Sequence, residues 1–133
     1  MDDDSLIELA KKARAHAYVP YSGFAVGAAA LAPDGRVFLG CNIENASYGL
    51  TNCAERTAIF SAVAAGVQRF AALAVVADGE LPCSPCGACR QVIAEFAVER
   101  IILANLAGKR RVVTKEDLLP FAFTLEEKSL PSD

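Results

Sequence analysis

Cys53-Ala54-Glu55 and Pro85-Cys86-Gly87-Ala88-Cys89 are the two stretches that decide the fold of this chain. Each stands where a loop gives way to a helical pattern, and the apolar run Phe70–Ala77 between them is typical of a strand buried on both faces. In open α/β sheets, ligands bind where strands end and the following helices begin. We therefore expect the two cysteine motifs to meet at one edge of a central sheet.

The cysteine spacing predicts a site for one metal ion. Cys86 and Cys89 are three residues apart, so they share one face of a helix, and Cys53 joins them from a second helix. A structural zinc ion has four protein ligands, whereas a catalytic one has three and leaves a position for water. Three thiolates with Glu55 close by predict a catalytic zinc site in which Glu55 transfers protons. The alternative for Glu55 is a first-turn glutamate that only complements the helix dipole.

Two arginines directly follow the motifs. Three thiolates around zinc carry excess negative charge, so a donor of hydrogen bonds to the sulfurs is expected nearby. Arg56 and Arg90 are the candidates, and Arg56 is preferred because it lies in the first turn of the Cys53 helix. For both arginines the alternative is an ordinary solvated surface charge.

Cys83 leaves a competing interpretation open. Cys83, Cys86 and Cys89 are evenly spaced by three residues, which overlaps the spacing of iron–sulfur ligands, and with Cys53 they could also form a closed four-cysteine zinc site. We favour the three-cysteine site, because Pro85 sets Cys86 at a helix start and leaves Cys83 before it. Cys41, inside a strand, is expected to be a small buried hydrophobe.

Composition limits the class of protein. At 133 residues with 53% apolar content, the chain is predicted to be one domain, residues 1–133, with a substantial core. A net charge of −3 argues against a nucleic-acid partner. The start, Met1-Asp2-Asp3-Asp4, lacks the features of a signal peptide, and no apolar run is long enough to cross a membrane. Five cysteines in such a chain indicate reduced thiols, and we expect a cytoplasmic protein.

Turn and cap signals place the remaining elements, and Ser5 is the predicted cap of the first helix. The predicted elements are helix Ser5–Ala17, strands Val26–Leu31 and Arg36–Gly40 as a hairpin, helix Cys53–Ala65, strand Phe70–Ala77, helix Cys86–Ala97, strands Arg100–Ala104 and Arg111–Val113, and a short helix Lys115–Leu119. This order predicts an α/β fold of three layers, α/β/α, around a mixed, mostly parallel five-stranded sheet.

Several segments together resemble one enzyme family. They are Pro20–Ala29, Gly40–Gly49 with its Asn42-Ile43-Glu44, Cys53–Arg56, Pro85–Val92 and Leu118–Phe123. Nearly the whole chain resembles the small homotetrameric cytidine deaminases. In zinc deaminases generally, cysteines may hold the metal, and a glutamate that does not bind it is the general acid/base.

The resemblance implies an activity and the residues that perform it. It implies hydrolytic deamination of cytidine and 2′-deoxycytidine to uridine and 2′-deoxyuridine, in pyrimidine salvage, by a zinc-dependent homotetramer. Cys53, Cys86 and Cys89 would hold zinc, and Glu55 would be the proton shuttle. The implied substrate-binding residues are Asn42, Glu44, Phe24, Ala54 and Phe123.

Some of these roles also follow from the residue types. Asn42 and Glu44 are two apart, so in extended chain they face the same way, and an amide beside a carboxylate suits a sugar diol. Phe24 would pack against the pyrimidine, with a core position as its alternative. Phe123 would close the pocket of a neighbouring subunit, an expectation that rests on the resemblance alone.

Other functions are less well supported by the residues. A related branch acts on a nucleoside antibiotic but lacks the Asn-x-Glu found here at Asn42 and Glu44. Deaminases of nucleic acids usually have histidine where this chain has Cys53. The alternative from another class is a non-catalytic protein with a closed zinc or iron–sulfur site.

Overall fold

The computed structural model describes residues 1–125, which form five strands and four α-helices. In chain order these are α1 (Asp3–Arg14), β1 (Val26–Leu31), β2 (Val37–Cys41), α2 (Ala54–Ala64), β3 (Ala72–Ala77), α3 (Gly87–Glu95), β4 (Ile101–Asn105), β5 (Arg110–Val113) and α4 (Lys115–Leu118). A short 3₁₀ turn, Tyr48–Leu50, lies between β2 and α2. Within residues 1–125, no helix has the length and apolar character that crossing a bilayer requires.

The strands form one mixed sheet in the order β2-β1-β3-β4-β5. The five-stranded mixed sheet is as predicted, but its mostly parallel character was wrong. Among the strand pairs of residues 1–125, only β3 and β4 run parallel, and the other three pairs are antiparallel. The reason lies in the connections. Only α3 links neighbouring strands by a crossover, whereas β4 returns directly to β5 through a turn at Gly108, whose φ is +96°.

Helices cover both faces of the sheet, so the predicted α/β/α layers are confirmed. One face packs against α1, and this cluster contains Leu6, Ile7, Ala10, Ala29, Val76, Ile102 and Ala104. The other face packs against α2 and α3, and its cluster includes Ala58, Ile59, Ala62, Ile93, Ala28, Val75 and Ile101. Because successive strand residues point to opposite faces, neighbours such as Val75 and Val76 belong to different clusters.

Two glycines let helices approach the strands closely. A Cβ on Gly27 in β1 would lie 2.0 Å from the carbonyl oxygen of Ala10 in α1. A Cβ on Gly40 in β2 would lie 2.4 Å from the carbonyl oxygen of Ala54, the first residue of α2. Only glycine fits at these two positions, where the backbone of α1 approaches β1 and the start of α2 approaches β2. The contact at Gly40 positions the Cys53 end of α2.

The start of α1 differs from the sequence prediction. Asp2, rather than Ser5, is the N-cap, because the Asp2 carboxylate accepts a hydrogen bond from the Ser5 backbone N–H at 2.8 Å. The next two acids pair with arginines at the starts of the two strands β4 and β5. Asp3 pairs with Arg100, and Asp4 pairs with Arg110 at 2.6 Å. The acidic start of the chain thus caps α1 and ties it to β4 and β5.

Candidate active site

The two cysteine motifs occupy helix starts, as the sequence predicts. Cys53 is the N-cap of α2 and Cys86 is the N-cap of α3, and both have extended backbone conformations. Neither side chain caps its own helix by a hydrogen bond, so both sulfurs are available to other partners. The positive ends of two helix dipoles stabilise thiolates at these positions.

The structure brings the three predicted ligand sulfurs together. The Sγ atoms of Cys53, Cys86 and Cys89 all lie within 4.8 Å of one another, and those of Cys53 and Cys86 are 3.7 Å apart. Two thiolates at the usual zinc–sulfur distance in a tetrahedral site are about 3.8 Å apart. The sulfur arrangement therefore fits zinc, and within residues 1–125 the cluster consists of these three ligands.

Arg56 stabilises the negative charge of this cluster. Its Nη2 donates a hydrogen bond to Cys53 Sγ at 3.2 Å. The hydrogen bond from Cys89, together with those from Arg56 and Cys86, lowers the pKa of Cys53 to about 5. The same interaction with Cys53 raises the pKa of Cys89. The arginine therefore lies where a charged three-thiolate site needs a cation.

Glu55 is a buried carboxyl beside the cluster. It lies in the first turn of α2 and only 4% of its surface is exposed. Burial raises the pKa of Glu55 to about 7, and the negative charge at Cys53 acts in the same direction. A carboxyl with a pKa near neutrality can both accept and return a proton under the same conditions.

Cys83 and Cys41 do not join the cluster. Cys83 packs against the hydrophobic core beneath α2 and α3, and burial raises its pKa to about 11, so it remains a thiol. Within residues 1–125, Cys83 is not part of the group whose ligand atoms are mutually close, which disfavours the closed four-cysteine site. Cys41 ends β2 and is only half-buried, so its expected full burial was wrong.

Arg90 is not the solvated surface charge that the alternative predicted, and none of its three described hydrogen bonds goes to a sulfur. Its guanidinium donates to the Pro85 carbonyl at 2.9 Å, to Ser84 Oγ at 2.9 Å and to the Leu118 carbonyl at 2.8 Å. It therefore binds the loop before Cys86 to the end of α4. Next to it, Gln91 donates to the carbonyl of Phe123 at 3.0 Å. These two residues of α3 hold the described part of the C-terminal segment.

A short backbone pairing joins the segment of Asn42 and Glu44 to the residue before Cys53. Ile43, between them, exchanges backbone hydrogen bonds with Asn52, the residue before Cys53, at 2.9 and 3.0 Å. The segment of Asn42 and Glu44 is therefore fixed against the start of α2. Both side chains are half-buried and both contact the loop before β1.

These two side chains also organise that loop. Asn42 donates to the Phe24 carbonyl at 2.7 Å and accepts from the Val26 N–H at 2.9 Å. The Glu44 carboxylate accepts from the N–H groups of Tyr21 and Ser22 at 2.9 and 3.1 Å and from Ser22 Oγ at 2.5 Å. The hydroxyl of Ser22 and these N–H groups hold the pKa of Glu44 below its usual value, so it is an anion.

Ser22 is the polar residue of this site that sequence reasoning missed. Its Oγ also accepts a hydrogen bond from the backbone N–H of Phe24 at 3.0 Å. A serine that bonds the backbone two residues later, just before a glycine with φ of +69°, is a known turn pattern. That pattern could have indicated the turn, but its bond to Glu44 depends on the folded chain.

The other predicted substrate residues lie in different places. Phe24 is 48% exposed at the loop before β1, and Ala54 is fully buried at the start of α2. Phe123 is 69% exposed and lines a cleft of about 830 Å³ that also includes Arg36, Arg69 and Phe121. Among the described residues that line this cleft there is no cysteine of the metal cluster.

Most of the chain matches a known protein family. Residues 1–105 match the family described as the cytidine and deoxycytidylate deaminase zinc-binding region. A cytidine deaminase of Sporosarcina psychrophila is 58% identical, with 100% of this chain and 99% of that protein covered. A cytidine deaminase of Halalkalibacterium halodurans is 57% identical, with 96% and 98% covered.

Solved structures with the same fold agree with these matches. The crystal structure of cytidine deaminase from Burkholderia pseudomallei superposes with a TM-score of 0.90 at 57% identity, covering 92% of this chain and 100% of that one. That of cytidine deaminase from Mycobacterium tuberculosis gives a TM-score of 0.81 at 46% identity, covering 94% and 99%. The structural similarity therefore extends over nearly the full length of this chain and of each of these two deaminases.

Proposed function

The chain belongs to the cytidine and deoxycytidylate deaminase family, and from this membership we propose that it is a single-domain enzyme converting cytidine and 2′-deoxycytidine to uridine and 2′-deoxyuridine in pyrimidine salvage. The observation that carries this proposal is the buried Glu55 carboxyl beside a cluster of three thiols that fits zinc. A metal with three protein ligands retains a position for a reacting molecule.

The residues of the site support a hydrolytic reaction. Cys53, Cys86 and Cys89 would hold the zinc ion, which would act as a Lewis acid and make water a nucleophile near neutral pH. Glu55 accepts the proton of the water whose oxygen bonds to C4 of the pyrimidine. It delivers this proton to N3, then takes the second proton from the new hydroxyl on C4 and delivers it to the departing amino group. The C4–N bond breaks, ammonia leaves and the carbonyl of uridine forms.

The sugar would be bound by Asn42 and Glu44. Ile43, between them, pairs with Asn52, the residue before Cys53, so their segment is fixed next to the start of α2. Both side chains offer acceptors to sugar hydroxyls. Because Glu44 is an anion, it disfavours a phosphate group in the same place, which supports a nucleoside over a nucleotide. Phe24 and Ala54 would contact the pyrimidine ring.

Assembly into a homotetramer is the further part of this proposal. Phe123 is exposed and lines a cleft whose described lining includes no cysteine of the metal cluster, which supports a role for its ring in the pocket of another subunit. Free cysteines, the form found for all five in this chain, suit a reducing compartment, so we propose a cytoplasmic location.

A spectrophotometric assay tests the reaction. Cytidine and 2′-deoxycytidine each lose ultraviolet absorbance on conversion to uridine products, and we expect this loss with purified protein containing one zinc per chain. If zinc-containing protein converts neither nucleoside, the proposed deaminase activity is wrong and a non-catalytic metal protein is favoured. A visible absorption band with bound iron would favour an iron–sulfur site instead.

The four-cysteine alternative has its own test. Cys83→Ser should keep one zinc per chain and most activity, because Cys83 lies outside the sulfur cluster. Cys86→Ser should lose zinc. Loss of the metal from the Cys83→Ser protein would return the interpretation to a closed site of four cysteines.

A further inference from the structure

We propose that Ser22 is a positioning residue for the nucleoside, because its hydroxyl joins the Glu44 carboxylate to the backbone of Phe24 in one bridge. The sugar contact and the ring contact are then set by the same side chain. This inference rests on the proposed function and deepens it. It assigns Ser22 a role through Glu44 and Phe24, without contact between Ser22 and the reacting atoms.

The bridge is formed by two hydrogen bonds of a single hydroxyl. Ser22 Oγ donates to Glu44 Oε2 at 2.5 Å and accepts from the Phe24 N–H at 3.0 Å. The other carboxylate oxygen, Oε1, accepts from the N–H groups of Tyr21 and Ser22. Both oxygens of Glu44 are therefore held by one turn, and the hydroxyl of Ser22 is the side-chain link in that arrangement.

Three donors leave Glu44 with little free capacity. An ionised carboxylate offers about four acceptor positions. Ser22 and Tyr21 occupy three of them, so about one remains to be directed at a sugar hydroxyl. Without the Ser22 hydroxyl, Oε2 loses the one hydrogen bond it has within residues 1–125, and the carboxylate can rotate. A hydrogen bond to a charged acceptor is among the stronger kinds, so its loss should be measurable.

Phe24 is fixed from both sides of its backbone. Its N–H donates to Ser22 Oγ, and its carbonyl accepts from Asn42 Nδ2 at 2.7 Å. Its ring remains half exposed, free to contact a ligand. Asn42 is bonded to the backbone of Phe24 directly, and Glu44 is connected to it through Ser22. Both proposed sugar-binding residues therefore help to position the proposed ring-binding residue.

The test compares ligands that differ only in the sugar hydroxyls. Inhibition constants of uridine and 2′,3′-dideoxyuridine, as competitors of cytidine turnover, are measured for the wild type, Ser22→Ala and Ser22→Thr. We expect Ser22→Ala to raise the inhibition constant of uridine about tenfold. The inhibition constant of dideoxyuridine should rise less than about threefold, since this ligand has no 2′ and 3′ hydroxyls for Glu44 and keeps only the contact with Phe24. Cytidine KM should rise more than kcat falls. Ser22→Thr keeps the hydroxyl on an exposed loop and should restore uridine binding.

Matched variants separate this role from a general effect. Ser61→Ala removes an exposed hydroxyl from α2 and should leave both constants unchanged. In a Glu44→Ala background, Ser22→Ala should add little further loss for uridine, because the bridge has already lost its acceptor. Equal weakening of both ligands, or full additivity with Glu44→Ala, would overturn the role of Ser22. Wild-type protein that does not convert cytidine would instead overturn the proposed function, and this inference with it.

Discussion

At the scale of single residues, Glu55 allows metal binding to be separated from proton transfer. Glutamine has the same size but cannot accept and return a proton at neutral pH. Glu55→Gln should keep one zinc per chain and its assembly, while kcat falls by at least ~10²–10⁴, the usual contribution of a general acid/base. Steady-state kinetics and metal analysis of the same preparation measure both quantities.

Glu99→Gln is the control for that substitution, since Glu99 is an exposed acid outside the site and should be neutral. If Glu55 were a metal ligand or only a partner of the helix dipole, the main loss would be zinc or stability. Near-native turnover by the zinc-containing Glu55→Gln protein would contradict the proposed mechanism.

Residues with local signals were predictable, and those with distant partners were not. The positions of Cys53, Cys86 and Cys89 follow from helix starts and a three-residue spacing, and the structure has their sulfurs together. The role of Arg56 could be predicted from its position three residues after Cys53, whose sulfur it bonds. Arg90 has a partner, Leu118, 28 residues away, and Ser22 has one 22 residues away. No sequence pattern specifies pairs of that kind.

At the scale of elements, the helix–sheet contacts at Gly27 and Gly40 set the distance between layers. An added Cβ would meet backbone atoms of α1 or α2, which cannot move aside as a flexible side chain could. Gly27→Ala and Gly40→Ala should each destabilise the protein by about 1–3 kcal/mol or more. Gly40→Ala should also impair zinc binding, because it displaces the start of α2 that carries Cys53.

Thermal unfolding and zinc content of the two variants measure these effects. Gly49→Ala is the matched control, since no atom of residues 1–125 lies within 4 Å of an added Cβ there. Unchanged melting temperatures for both Gly27→Ala and Gly40→Ala would show that the layers tolerate a wider spacing.

Element types were easier to predict than strand directions. Each predicted helix and strand is present, because the apolar periodicity and the turn residues are local signals. Direction depends on which strands become neighbours, and β1 inserts between β2 and β3 although α2 connects those two in the chain. That insertion makes both of the β1 pairings antiparallel, so the mostly parallel sheet could not be corrected from the sequence.

At the scale of the whole molecule, the C-terminal segment exposes large apolar side chains. Phe121 and Phe123 are both exposed, and Gln91 fixes the backbone of the second. Removing the chain from Phe121 onward should weaken both oligomerisation and cytidine turnover, because exposed aromatic residues at a fixed position suit burial between subunits. Light scattering and kinetics over a range of protein concentrations measure the two effects.

Leu81→Ala is the control for the truncation, since Leu81 is also strongly exposed but lies in the loop before Cys83. A truncated protein that is a fully active monomer would contradict both the tetramer and the shared pocket.

The guanidinium of Arg90 has a consequence for local opening of the fold. It joins the carbonyl before Cys86 to the carbonyl of Leu118, so the metal-binding turn and α4 should open as one unit in amide hydrogen exchange. Stripping zinc with a chelator should then speed exchange at Leu118 and Leu119, whose amides bond within α4 and touch no metal ligand. In Arg90→Lys the same treatment should leave those two amides at their original rates, because the connection through which they respond to the metal is gone.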